Sequence, residues 1–215
     1  MGLLDRLAPR RPDTDPPPGP AAAVGDPVFA TKALRKFLTS LTASNGSPAL
    51  LDLGPVVGSN VSFFGEQLGC KIFVEDIFAD LDRHVREGKV ERLPDFLKNR
   101  FPQAPGSVDG VLCWDLIDYL DKPSAQVVAT ELTRVLRPDG ALLGFFGAAQ
   151  TVQARYTKYI IVDEVTLKHR SYPAARGRQR TLLNRDIIKL FGGLRVSDSF
   201  LLKTNIREIL FRKPA

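Results

Sequence analysis

The chain has 215 residues, 44% of them hydrophobic and 25% charged, with a formal net charge of +6. That is the size of about one domain and the make-up of a soluble globular protein, able to bury a core without disulfides or a structural metal. No apolar run approaches the ~18–20 residues of a membrane span, no signal-peptide core follows Met1–Leu7, and Arg6 stands where a myristoylation signal wants Ser or Thr, so the expected address is the cytoplasm.

Residues 8–27 hold seven of the sixteen prolines and few large apolar residues, too little surface to offset ordering entropy. Residues 1–26 are therefore expected to be a flexible, proline-rich leader, and 27–215 the folded domain. Asp26-Pro27 reads as a helix start, with Asp as N-cap and Pro at the first helical position. Phe29, Ala33, Phe37, Leu38 and Leu41 recur at helical spacing and extend that helix over 28–43. Ala49–Leu53 is a buried strand, followed by a turn over Gly54–Gly58 and a helix over Ser59–Leu68. Its inward face is Val61, Phe64 and Leu68, and Gly69 closes it.

Lys71–Glu75 is the second strand, and Phe78–Glu87 a helix closing at Gly88. Residues 90–102 read either as a short helix broken by Pro94 or as a degraded third strand. Gly110–Trp114 is a strand, Pro123–Leu136 a helix, Arg137–Gly140 a turn and Ala141–Phe146 the next strand. Leu182–Phe191 is a helix ended by Gly192-Gly193. Arg195–Leu202 and Arg207–Phe211 form a hairpin through Lys203–Ile206. Apolar strands alternating with amphipathic helices imply an open, mainly parallel α/β sheet covered on both faces. The last pair is too closely linked for a crossover and must be antiparallel.

Ligands of such sheets sit beyond the carboxyl ends of the strands, where the strand order reverses. The loop there is Leu51-Asp52-Leu53-Gly54-Pro55-Val56-Val57-Gly58, whose two glycines permit close approach to a ligand. Glu75-Asp76 ends the second strand about twenty residues later, where an acid can hold a ribose diol; Asp76 can equally cap the next helix.

At these residues the chain resembles the class I S-adenosylmethionine-dependent methyltransferases. LLDLGPVVG is similar to their first motif and FVED to their acidic second motif. SVDGVLCWDLIDYL (Ser107–Leu120) is similar to their fourth-strand motif, and ELTRVLRPDGALL (Glu131–Leu143) to the helix, turn and strand that follow. The resemblance covers about residues 28–148 and implies a Rossmann-like seven-stranded sheet ordered 3-2-1-4-5-7-6. It implies that Asp52, Gly54 and Gly58 line the methionine part of S-adenosylmethionine, that Glu75 or Asp76 holds its ribose, and that Trp114 and Asp115 face the acceptor at its edge. The middle glycine of the family's loop is Val56 here, a β-branched residue that hinders close backbone approach.

Methyl transfer from a sulfonium is an in-line displacement that needs alignment and a dry pocket. Asp115, Asp118 and His169 are candidates for a base, each with a plainer alternative as a cap, solvated carboxylate or surface imidazole, and Tyr119 reads as packing; no catalytic residue is assigned. Cys70 and Cys113 lie in apolar runs and are expected to be buried, reduced thiols. Without a CxxC or HExxH pattern, and with His84 and His169 standing alone, no metal site is expected.

Acceptor choice is expected to rest on the leading helix and on a basic insertion over 149–181, an acceptor-side cap. Between Thr151 and Arg185 lie eight basic residues (Arg155, Lys158, Lys168, Arg170, Arg176, Arg178, Arg180, Arg185) against Asp163 and Glu164. With Tyr156, Tyr159 and Tyr172 among them, this segment suits an anionic small molecule or a partner protein; it is also a solvated loop in the plainer reading. Nucleic acid is less favoured, because the fourth-strand motif is CWDL rather than the NPPY type of base-amine methylases. The rival class is a non-catalytic binding module of the same fold, which Val56 favours and which would use the basic insertion. A nicotinamide dehydrogenase is weaker because GxGxxG is absent, and a P-loop is excluded because no Lys follows Gly58.

Overall fold

The computed structural model describes residues 26–43, 46–149, 154–179 and 181–215; the leader up to residue 25, and Arg180 of the basic segment, lie outside the described residues. In chain order the elements are β1 (Val28–Ala30), α1 (Leu34–Thr42), β2 (Ala49–Asp52), α2 (Gly58–Ser62), β3 (Lys71–Val74), α3 (Ile77–Arg86), α4 (Leu93–Lys98), β4 (Val108–Trp114), α5 (Lys122–Val135), β5 (Leu136–Gly147), β6 (Arg155–Asp163), β7 (Thr166–Pro173), α6 (Asn184–Leu190), β8 (Arg195–Leu201) and β9 (Ile206–Arg212).

The main sheet runs β3-β2-β4-β5-β9-β8. Its first four strands are parallel and its last two antiparallel, so the mainly parallel sheet with a C-terminal hairpin is borne out. Alternate strand residues feed two cores. Leu51, Val111 and Leu142 face α3, α4, α5 and α6, whereas Leu50, Leu112 and Leu143 face α1. Strand order reverses between β2 and β4, and their carboxyl ends define the crevice.

Several details depart from the expectations. The main sheet has six strands among the described residues, not seven. The ambiguous stretch is helical, because Pro94 sits in the first turn of α4, where no N–H is needed, and Leu93 and Leu97 bury one turn apart. The leading helix does not start at Asp26-Pro27. Val28–Ala30 is instead a strand pairing antiparallel with β7, and Phe29 rests on the His169 ring.

The helix begins at Leu34, and its capping acid is distant in sequence: the buried Glu208 of β9 accepts from Lys32 N (2.8 Å) and Ala33 N (2.9 Å). The helix expected over Ser59–Leu68 is α2 followed by a π-helical turn, Phe63–Gln67, with Val61 exposed rather than inward. The Arg137–Gly140 turn lies within the span of β5, whose register against β4 breaks there while Asp139 takes a positive φ of 59°. Cys70 and Cys113 are free and buried. Among the described residues no helix is long and apolar enough to cross a membrane.

The basic insertion is a second sheet. β6 and β7 form a hairpin, β1 adds to its β7 edge, and the order is β1-β7-β6. This sheet reaches the crevice end of the main one, because α2 touches β6.

The helix α1 approaches the backbone of β4 at Gly110, where a side-chain carbon would meet Leu41 Cδ1 and Phe37 Cζ, both at 2.9 Å. Gly110→Ala is expected to lower unfolding free energy by about 1–3 kcal/mol in urea titration, the cost of overpacking a filled core. Gly58→Ala, where the added carbon meets nothing within 4 Å, should leave the midpoint within a few tenths of a molar. Equal losses in the two variants would contradict this packing.

Candidate active site

Asp52 ends β2 with its side chain buried. A buried carboxylate needs donors, and its Oδ1 has two: Gly54 N at 2.9 Å and Trp114 Nε1 at 2.7 Å. Burial raises its pKa to about 6, a shift that these two hydrogen bonds oppose. The indole is drawn directly over the loop. A side-chain carbon on Gly54 would lie 2.9 Å from both Cδ1 and Nε1 of Trp114, so this glycine is required by the ring above it. Trp114 itself has φ of +48°, a left-handed conformation that is strained for a bulky residue. Val56, expected to crowd the loop, is 64% exposed.

Glu75 and Asp76 follow β3 but differ in their engagements. Glu75 pairs through Oε2 with Arg100, and its Oε1 accepts from Gln103 Nε2 at 3.2 Å. Asp76 caps α3, its Oδ1 accepting from Ala79 N at 3.0 Å. Burial raises the Asp76 pKa, against the pull of that hydrogen bond and of Lys158.

Beyond β4 the chain turns through a 3-10 helix, Leu116–Tyr119, with Asp115 and Asp118 both fully buried. Arg178, from the loop after β7, lies between them: Nη2 is 3.1 Å from Asp115 Oδ2 and Nε is 3.6 Å from Asp118 Oδ2. Gly147 N donates to Asp118 Oδ2 at 2.7 Å. The Oδ1 atom of each aspartate lacks a hydrogen bond among the described residues. Burial raises Asp115, with Arg178 opposing, and carries Asp118 up to about 7. Arg178 entered the sequence reading only as one of eight cations; nothing local marks it as the partner of two buried acids.

His169 is elsewhere. It lies in β7 between the rings of Phe29 (4.4 Å) and Tyr159 (4.9 Å), and burial lowers its pKa to about 4. Its imidazole is uncharged and packs in an aromatic stack.

The hairpin closes the crevice with its aromatic side chains. Tyr159 lies flat on Trp114, with centroids 5.1 Å apart and planes 6° from parallel. Tyr156 meets Phe78 and Tyr119 edge-on, both at 4.9 Å, and Tyr172 packs on Tyr156 at 5.5 Å. Asn60 of α2, to which the sequence reading assigned no role, clamps β6 in place. Its Nδ2 donates to Tyr159 O at 2.8 Å and its Oδ1 accepts from Ile161 N at 2.9 Å.

Residues 51–144 match the family described as a methyltransferase domain, a span that contains Asp52, Gly54, Gly58, Glu75, Asp76, Trp114 and Asp115. No curated protein matches the chain. The fold is similar to that of the 1,6-didemethyltoxoflavin-N1-methyltransferase of Burkholderia thailandensis, solved with 1,6-didemethyltoxoflavin and S-adenosylhomocysteine. Identity is 17%, over 85% of this chain and 79% of that one, with a TM-score of 0.50. The glycopeptide N-methyltransferase MtfA, complexed with S-adenosyl-L-methionine, is similar at 14% identity, over 94% and 100% of the two chains, with a TM-score of 0.50. The [4+2]-cyclase SpnF is similar at 14% identity, over 85% and 81%, with a TM-score of 0.52. The resemblance to class I methyltransferases holds in sequence over β2 to β5 and in fold over most of the chain.

Because native Asp52 keeps its proton up to about pH 6, against an ordinary value of 3.8, the folded state binds more protons than the unfolded one in that window. This group therefore makes the fold less stable as pH rises from about 4 to about 6. Below pH 6 the Trp114 bond also loses its ionised acceptor. Trp114 is the only tryptophan, so its emission maximum should titrate with a midpoint near pH 6. Asp52→Asn should abolish that midpoint; an unchanged titration in this variant would assign it to another group.

Proposed function

We propose that this chain, a class I methyltransferase domain by its match over residues 51–144 and by its fold, transfers a methyl group from S-adenosylmethionine to a small acceptor. The observation that carries the reading is the convergence of Asp52, Asp76 and Asp115 on the carboxyl ends of β2, β3 and β4 at the strand-order reversal, within the matched span. The residues suit an adenosyl sulfonium. Gly54 and Gly58 allow close backbone approach, Asp76 has one carboxylate oxygen beyond its capping bond, and Asp115 Oδ1 is a buried acceptor without a hydrogen bond among the described residues. Tyr119 and Tyr156 supply aromatic faces that attract a cation.

In this reading Asp52, Gly54 and Gly58 hold the methionine part. Asp76 grips the ribose in preference to Glu75, both of whose oxygens are already engaged. S-adenosylmethionine bound there supplies a methyl group on a cationic sulfur, ready for in-line attack. The chain's own part is alignment, exclusion of water by the β6–β7 hairpin, and removal of a proton when the attacking atom is N–H or O–H. Asp118 is the favoured base, since burial holds its pKa at about 7, where it can take a proton and release it again.

The acceptor is best read as a small molecule with an anionic group. Arg170 and Arg178 are paired with Asp26 and with the two buried aspartates, which takes two of the cations from an anionic ligand. Lys158 and Arg176, with no ion pair among the described residues, remain for a smaller anion. A second reading, a binding module without turnover, is favoured by one observation: the Trp114 ring, stacked against Tyr159, lies over Gly54.

Calorimetry with S-adenosylhomocysteine tests the reading. Wild type or, where the crevice is held shut, a Tyr159→Leu variant should give saturable heat, and Asp76→Asn in the same background should bind about tenfold more weakly or worse, the loss of a charge-assisted hydrogen bond. No heat in either background would contradict the enzyme.

A further inference from the structure

We infer that Trp114 and Tyr159 form an aromatic gate over the glycine loop, and that the cofactor enters only when the indole swings out. The inference rests on the cofactor reading above. Four observations carry it. The indole occupies the space immediately over Gly54, at 2.9 Å from where a side-chain carbon would stand. It is bound to Asp52, the carboxylate assigned to the methionine end, so ring and ligand compete for one acceptor. Tyr159 stacks on one face of the ring and is delivered by a different sheet, the β6–β7 hairpin.

The fourth observation is the backbone of Trp114. A tryptophan at φ +48° is held away from its preferred regions, and the surrounding contacts must maintain it. Released from Asp52 and Tyr159, the residue can relax towards negative φ, a change that moves its side chain. Asn60 couples the two parts, since the helix that begins at Gly58 is bonded on both sides of Ile160 in β6. Displacing the indole therefore loosens the support beneath Tyr159 while the hairpin stays attached to α2.

The single tryptophan reports the gate directly. The full chain is titrated with S-adenosylhomocysteine while Trp114 emission and acrylamide quenching are followed, with calorimetry in parallel. Binding should move emission to the red and raise the quenching constant about twofold. Tyr159→Leu, which keeps apolar volume but removes the flat ring, should show the red emission without ligand and bind about tenfold more tightly, because the cost of opening is removed. Tyr159→Phe, which keeps the stack, should keep the emission of wild type and separates the ring from the hydroxyl that interacts with Asp115.

Heat in Tyr159→Leu but not in wild type supports a gate that stays shut unaided. Heat in wild type with Trp114 emission and quenching unchanged overturns the gate and leaves the cofactor reading standing. No heat in any of these proteins overturns both.

Discussion

The site is organised around one buried carboxylate. Asp52 cannot be left without donors once β2 carries it out of water, and the two it finds are the N–H of its own loop and the indole of a residue sixty-two positions later. That second bond ties the tip of β4 to the glycine loop and sets where Trp114 lies. Hydrogen bonds to a charged group contribute about 1.5–3 kcal/mol, and a strained backbone costs about 1–3 kcal/mol. The bond offsets the strain, and burial of the indole in the core with the Tyr159 stack on it holds Trp114 in place.

The second sheet supplies the deciding contact. β6 crosses the carboxyl end of the main sheet and gives one ring to each core: Tyr156 joins the layer of α3 and α5, and Tyr159 the layer of α1. Two of its cations are committed to structure: Arg178 reaches down to Asp115 and Asp118, and Arg170 ties β7 to Asp26. The segment that in sequence stands out by its charge also carries, in the fold, the buried rings of Tyr156 and Tyr159. Likeness of fold alone leaves the chemistry open, as one similar structure is named a cyclase. The reaction must be read from the acids at the strand tips.

The parallel part of the main sheet was legible because β2, β3, β4 and β5 each carry a short apolar run, a local pattern with a local cause. Asp52, Gly54, Glu75 and Asp76 were legible as positions for the same reason, since strand ends place them. Where cause and pattern are far apart in the chain, reading failed. Phe29, Ala33 and Phe37 are spaced four apart and mimic one helix, yet Phe29 belongs to a strand because β7 lies beside it, and the helix starts where Glu208 caps it. Pro94 is compatible with a helix start or a broken strand, and only the burial of Leu93 and Leu97 decides. Val56 looked like the obstruction because it breaks a glycine pattern; the residue over the loop is Trp114, which breaks none. Asn60 and Arg178 act through partners that no spacing connects to them.

The most direct measurement is the proton–nitrogen spectrum of the single indole, Trp114 Nε1–H, with and without S-adenosylhomocysteine. In the free protein it should lie downfield of a solvent-exposed indole and exchange slowly with water, as a buried donor to a carboxylate does, and the ligand should shift it. An indole resonance at the position of free tryptophan, exchanging freely before any ligand is added, would contradict the bond to Asp52 and everything built upon it.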